Sequence, residues 1–147
     1  MGDQIEEEML ATYVMERFKG RIVSPHLRLG QPRGFTRERP APEELRRLHM
    51  SELPEADLVY RDGDKAAIYE FAIWKPSMKL GQLLIYKTLL PSTPGFYDVD
   101  PTNVSLVLVN GQRDDQVANA AISYGVGYEI FLPANVARKV AERRGGS

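Results

Sequence analysis

The sequence predicts an α/β domain in which a mixed central sheet is flanked by helices. Two strand-like runs, Ala56–Tyr60 and Lys65–Trp74, lie either side of Arg61-Asp62-Gly63-Asp64, whose Asp-Gly pair marks the tight turn of a β-hairpin. A further run, Asn103–Asn110, is almost continuously apolar through Val104, Leu106, Val107, Leu108 and Val109, as suits a parallel strand buried on both faces. Stretches of helical periodicity surround these runs, and strands alternating with helices build parallel pairs. At 147 residues the chain is read as a single domain, since a chain near this length hides about two-thirds of its unfolded surface.

From Gln4 to Lys19 there is no Gly or Pro, and Ile5, Met9, Leu10 and Tyr13 fall on one side of a helical wheel. This predicts an amphipathic helix ending at Gly20, a natural residue just past a helix end. Glu6 lies between Leu10 and Tyr13 on that wheel, and Glu16 lies at its other edge. An acid there either borders the apolar stripe and reaches water or requires a partner, because an unpaired buried charge is unfavourable.

Composition shifts over about 21–53, a Pro/Arg-rich insertion containing Pro25, Pro32, Pro40 and Pro42 and the arginines 21, 28, 33, 37, 39, 46 and 47. A short strand near Ile22–Val23 or His26–Leu29 and a short helix over Pro42–Leu48, with Pro at its start, are expected here. Arg28, Arg33, Arg37 and Arg39 could form an arm that follows phosphates, for which guanidinium forks are suited. A solvated or partner-contacting surface loop accounts for the same residues.

In the second hairpin strand Ala66, Ile68, Glu70, Ala72 and Trp74 share one face, and Ala67, Tyr69, Phe71 and Ile73 share the other. Both faces are apolar, which predicts a central strand. Pro76 is expected to end it, and Ser77 to cap a helix from Met78 to about Leu90. Pro91–Pro101 reads as a loop. Asp114–Tyr124 predicts a helix with Val117, Ala120, Ala121 and Tyr124 inward, Val126–Leu132 a last strand, and Ala134–Arg144 a basic C-terminal helix with Val136 and Val140 inward. Gly145-Gly146-Ser147 reads as a frayed end.

The absence of cysteine excludes disulfides and thiolate metal sites, and only His26 and His49 could supply imidazole. A metal would therefore be held mainly by carboxylates, which points to Mg²⁺ or Mn²⁺. A net charge of −1 exerts no global pull on nucleic acid, so such a partner would need a local basic surface. With 43% apolar and 27% charged residues, no apolar run near the roughly 18 needed to cross a bilayer, and an acidic N-terminus, the chain is expected in the cytoplasm of its cell or host, or in a virion, away from membranes.

Two acids stand out. Asp57 opens the first hairpin strand and Glu70 sits within the second; carboxylates on neighbouring strands repel unless a proton or cation lies between them, so the pair suits a divalent-ion site. A buried acid bonded to a tyrosine or arginine would also account for Glu70. On the following helix Lys79, Gln82 and Tyr86 fall on one face, as either a functional polar column or a surface one.

The order of a helix with an acid, a hairpin with Asp57 in ADLVY and Glu70 in IYEFAIW, a helix with Gln82 and Tyr86 in GQLLIY, and a last strand resembles the PD-(D/E)XK nuclease superfamily, especially its RecB-like and archaeal Holliday-junction-resolvase-like branches. The resemblance covers roughly Ile5 to Leu132 and implies a restriction-endonuclease-like α-β-β-β-α-β core plus the C-terminal helix. It further implies Asp57, Glu70 and Glu6 as ligands of Mg²⁺ or Mn²⁺, Asp57, Glu70, Gln82 and Tyr86 as catalytic-site residues, and DNA as the partner. The family places a lysine two residues after the second acid; here that residue is Ala72. Lys79 is the candidate replacement, because its helix aims it along the column of Gln82 and Tyr86; Lys75 would face the other way without a bulge, and Lys65 lies at the far end of the strand. Two functions are thus expected: a metal-dependent phosphodiesterase acting on DNA, or a catalytically degenerate domain of this fold serving as a binding or structural subunit of a nucleoprotein or viral assembly, with a protein partner or a second copy of itself.

Overall fold

The computed structural model describes residues 3–145. Helix α1 (Gln4–Arg17) is capped by the Asp3 carboxylate, which accepts the amides of Ile5 and Glu6. Strand β1 (Ser24–Arg28) and the short helix α2 (Glu43–Leu48) follow, then the hairpin β2 (Glu55–Asp62) and β3 (Lys65–Ala72). Helix α3 (Pro76–Leu89), β4 (Val104–Asn110), α4 (Asp115–Ser123), β5 (Gly127–Ile130) and α5 (Ala134–Gly145) complete the chain. Gly146 and Ser147, part of the expected frayed end, lie outside the described residues.

The five strands lie in chain order, with β1–β2 and β2–β3 antiparallel and β3–β4 and β4–β5 parallel. The result is the expected mixed sheet, with β3 at its centre. Its turn places Gly63 at φ +65°, the left-handed conformation that an Asp-Gly hairpin requires.

Helices cover both faces. On one side Ala66, Ile68 and Ala72 of β3 and Leu106 and Leu108 of β4 pack with Leu80, Leu83 and Tyr86 of α3 and Val117 and Ala121 of α4. On the other, Phe71, Ile73 and Val109 pack with Ile5, Met9, Leu10 and Tyr13 of α1 and Val136 and Val140 of α5. The Tyr13 ring stands edge-on to Phe71 and Phe131, each 5.1 Å away, and its hydroxyl donates to Glu129 at 2.6 Å, so α1 is fixed to the far edge of the sheet.

Several boundaries differ from expectation. Helix α3 starts at Pro76 rather than Met78, because Lys75 adopts a left-handed conformation (φ 54°, ψ 53°) that turns the chain straight from strand to helix; Ser77 is not its cap. The last strand is confined to Gly127–Ile130, and Tyr124, expected to face inward, is 64% exposed because it caps α4 instead of continuing its buried stripe. The 21–53 insertion folds onto the body and onto itself: Gln31 donates to Ser92 O (2.9 Å) and Tyr97 Oη (2.7 Å) and the Gly30 amide to Thr93 Oγ1 (2.8 Å), while within the insertion Arg46 donates to the carbonyls of Arg28 (2.8 Å) and Gly30 (3.1 Å).

Candidate functional site

The β2–β3 ladder runs from Asp62–Lys65 to Leu58–Tyr69. The next pair in that register is Asp57 opposite Glu70, and there the strands fork. Side chains replace the missing ladder bonds: Glu70 Oε2 accepts the Asp57 amide at 2.6 Å, and Asp57 Oδ2 accepts the Phe71 amide at 2.9 Å. One step further, Glu6 Oε2 reaches from α1 to accept the amides of Ile73 (2.7 Å) and Trp74 (3.1 Å). Three acids distant in sequence thus converge on the end of β3, each with an oxygen committed to backbone amides: Glu70 to β2, Asp57 to β3 and Glu6 to the residues just past β3.

Lys79 enters this fork from the first turn of α3, with Nζ 3.1 Å from Asp57 Oδ2 and 3.6 Å from Glu70 Oε1. Ala72, on the face of Glu70 and packed in the core beneath α3, supplies no cation; Lys79 does so from the helix above. Lys75 is exposed and Lys65 lies at the other end of β3.

Glu70 is only 1% exposed. Burial, reinforced by the charge of Asp57 and opposed by Lys79, pushes its carboxyl up to about 8. Burial works against the charge of Lys79, but Glu70 and Asp57 outweigh it and hold the ammonium above its ordinary range. Burial also raises Glu6, more than its two amide partners lower it. Tyr86 is buried on the same helix, and burial followed by the negative charge of Glu70 raises its phenol to about 12. Gln82 is half-buried one turn before it.

The fork opens into a cleft of about 40 Å³ lined by Asp3, Glu6, Glu7, His26, Glu55, Asp57 and Lys79, with Leu10 and Phe71 as its apolar wall. Its rim holds a grouping that sequence reasoning missed, of His26, noted there only as a possible imidazole, with Glu7 and Glu55. His26 lies between the ladder pairs Pro25–Leu58 and Leu27–Ala56, hence opposite Asp57, with φ +54°. Its Nε2 is 2.7 Å from Glu7 and its Nδ1 2.6 Å from Glu55. Burial lowers the imidazole, and the two carboxylates more than compensate, keeping it above its ordinary range. No local pattern marks this trio; only the β1–β2 register and the packing of α1 assemble it.

The donor chemistry fits a hard divalent ion: the cleft presents carboxylate oxygens, and its volume suffices for an ion with one or two waters. Asp57, on the cleft wall, and Glu70, buried behind it and not itself lining the cleft, are the pair that would hold it. Among the described residues no three acidic or imidazole groups are gathered closely enough to hold a metal together, and Glu6 lines the cleft without joining the pair.

The expected phosphate-binding arginines are dispersed. Arg28 donates to Leu53 O at 2.8 Å and pairs with Glu55 at 3.0 Å, and Arg37 donates to Tyr97 O. Arg33 and Arg39 are exposed. The basic residues of α5 are largely turned onto α1: Lys139 pairs with Glu8 at 2.5 Å and Arg143 with Asp3 at 2.6 Å. No helix among the described residues is long and apolar enough to cross a membrane.

No family model and no curated protein sequence matches the chain. Among solved structures it is similar to a repair endonuclease from Pyrococcus abyssi, with 15% sequence identity and a TM-score of 0.51 over 90% of this chain and 48% of that one. The chain thus spans about half the length of that endonuclease, and the likeness is one of fold; in this chain the fold is a mixed five-stranded sheet between helices with a C-terminal helix, consistent with a restriction-endonuclease-like form.

Proposed function

We propose that this chain is a metal-dependent phosphodiesterase acting on DNA. The observation that carries the reading is the approach of Lys79 Nζ to both Asp57 (3.1 Å) and Glu70 (3.6 Å), which supplies from α3 the cation that Ala72 cannot. Asp57 and Glu70 would hold Mg²⁺ or Mn²⁺, and Glu6, on the cleft wall, would reach it through a water. Such an ion, when bound, polarises a phosphoryl oxygen and makes bound water more acidic. Lys79 would orient the attacking water and offset charge on the phosphate. Tyr86, kept protonated by burial, and Gln82 would shape the site from α3, and Arg33 and Arg39 are free in solvent to meet the backbone of the nucleic acid.

A second reading, a domain of this fold without catalysis that binds a nucleic acid or a protein partner, is favoured by one feature. Each of the three acids also satisfies backbone amides at the fork, Glu70 on β2, Asp57 on β3 and Glu6 just past β3, which a purely structural role would explain. The two separate in one experiment. Purified protein is offered single-stranded, duplex and branched DNA with Mg²⁺ or Mn²⁺, beside Glu70→Ala. Metal-dependent cleavage that disappears in a folded Glu70→Ala variant is the expected result, a loss of at least about 10²-fold. Cleavage unchanged by the substitution, or absent from the wild-type protein, would sink the first reading.

A further inference from the structure

We infer that Lys79 is the resident cation of the Asp57–Glu70 pair, its ammonium holding the place that a divalent ion takes, so that loading the ion expels the lysine from between the two carboxylates. This rests on the proposal that Asp57 and Glu70 take a divalent ion.

The geometry leaves little room for both cations. Asp57 Oδ2 already accepts the Phe71 amide and Lys79 Nζ, and Glu70 Oε2 accepts the Asp57 amide, leaving Glu70 Oε1 turned toward the same ammonium. The carboxylate oxygens that could grip an ion together are the ones that Lys79 neutralises. An ammonium and a divalent ion sharing two buried carboxylates would stand within a few ångströms of each other, where like charges repel strongly in a partly desolvated site. The fork itself cannot widen cheaply, because its two carboxylates are tied across it, Glu70 to the Asp57 amide of β2 and Asp57 to the Phe71 amide of β3. The mobile member is therefore Lys79, on a four-carbon stem rooted in the first turn of α3.

The cleft also offers the displaced group somewhere to go. Lys79 lines its wall together with Glu6, Glu7 and Glu55, so the ammonium leaves one pair of acids and meets others without crossing an apolar layer. Ion loading and release of Lys79 into the cleft then become one event, and the lysine is free for a phosphate only after the ion has arrived. Had the lysine stood at position 72, two residues from Glu70 on a buried strand, the backbone would have fixed it in place; on α3 it can move.

Two measurements test this on the intact chain. Calorimetric titration with Mn²⁺, at one pH and ionic strength, compares the wild type with Lys79→Met, which keeps most of the side chain's unbranched length and removes its charge. The neutral variant should bind about tenfold tighter or more. In parallel, amine acetylation of the wild-type protein is followed residue by residue by mass spectrometry. Saturating Mn²⁺ should accelerate modification of Lys79 several-fold while Lys75 and Lys87 stay unchanged, a readout that survives if the variant does not fold. Mn²⁺ binding by the wild type without any change at Lys79, or equal affinity in the two proteins, overturns the inference and leaves the metal-binding reading standing. Absence of Mn²⁺ binding in both proteins overturns the two together.

Discussion

Glu70 is the residue at which burial and charge pull apart. Its carboxyl is almost fully buried and titrates near 8 when folded, against 4.5 when freely solvated. Between those values the unfolded chain has released a proton that the folded chain keeps, so the contribution of Glu70 to stability is fully present below about pH 4.5 and is lost as pH rises toward 8. Lys79, whose folded value is raised, contributes stability that persists until far more alkaline conditions and does not blur this window. Glu70→Gln keeps an acceptor for the Asp57 amide and cannot ionise. Urea melts at pH 5, 6, 7 and 8 should therefore show the variant gaining on the wild type with each step, by about 2 kcal/mol or more at pH 8. Parallel curves would show that Glu70 is ionised across the range.

At the scale of elements, sequence patterns resolve what is periodic and miss what is irregular. The apolar stripe of α1, the two-faced β3 and the continuous β4 follow from side-chain spacing, and the structure has them at nearly the expected positions. The onset of α3 was not legible, since a non-glycine residue preceding proline in the left-handed region runs against local preference and is imposed by tertiary packing. Asp57, Glu70 and Lys79 were visible as residue types at telling positions. Their meeting at a strand fork was not, because it depends on where the β2–β3 ladder stops. The meeting of His26 with Glu7 and Glu55 had no signal, since the three come from elements that only the fold brings together. The proline-rich insertion, read as a basic arm or a surface loop, is tied to the body through Gly30 and Gln31 and closed on itself by Arg46, whose guanidinium holds the carbonyls of Arg28 and Gly30. Arg46→Ala removes both bonds, each worth about 1 kcal/mol or somewhat more for a charged donor. Limited chymotryptic digestion should then cut near Phe35 several-fold faster, with little change in the global melting temperature. Equal cutting in the two proteins would mean that Gln31 and Thr93 suffice to hold the segment.

Across the whole molecule, the site is assembled from opposite sides of the sheet. Lys79 descends from α3, in the layer shared with α4, whereas Glu6 comes from α1, in the layer shared with α5, and they meet where β3 ends. The position of Glu6 therefore depends on how firmly α5 clamps α1. That clamp is built from buried Val136 and Val140 and from polar ties between Asn135 and Lys139 and Glu8, and between Arg143 and Asp3. The exposed ion pairs contribute little, so the valines carry the clamp. Replacing both by alanine should lower unfolding free energy by about 3 kcal/mol in urea titrations, with the two sites adding imperfectly because they line one seam. The single tryptophan reports the local consequence: Trp74 donates its amide to Glu6 and lies beneath Arg143 and Arg144 of α5, at 5.8 and 5.5 Å. In the folded double variant its emission should shift and its accessibility to acrylamide should rise before global unfolding begins. Emission indistinguishable from wild type until the main transition would show that α5 stabilises the fold without setting the cleft.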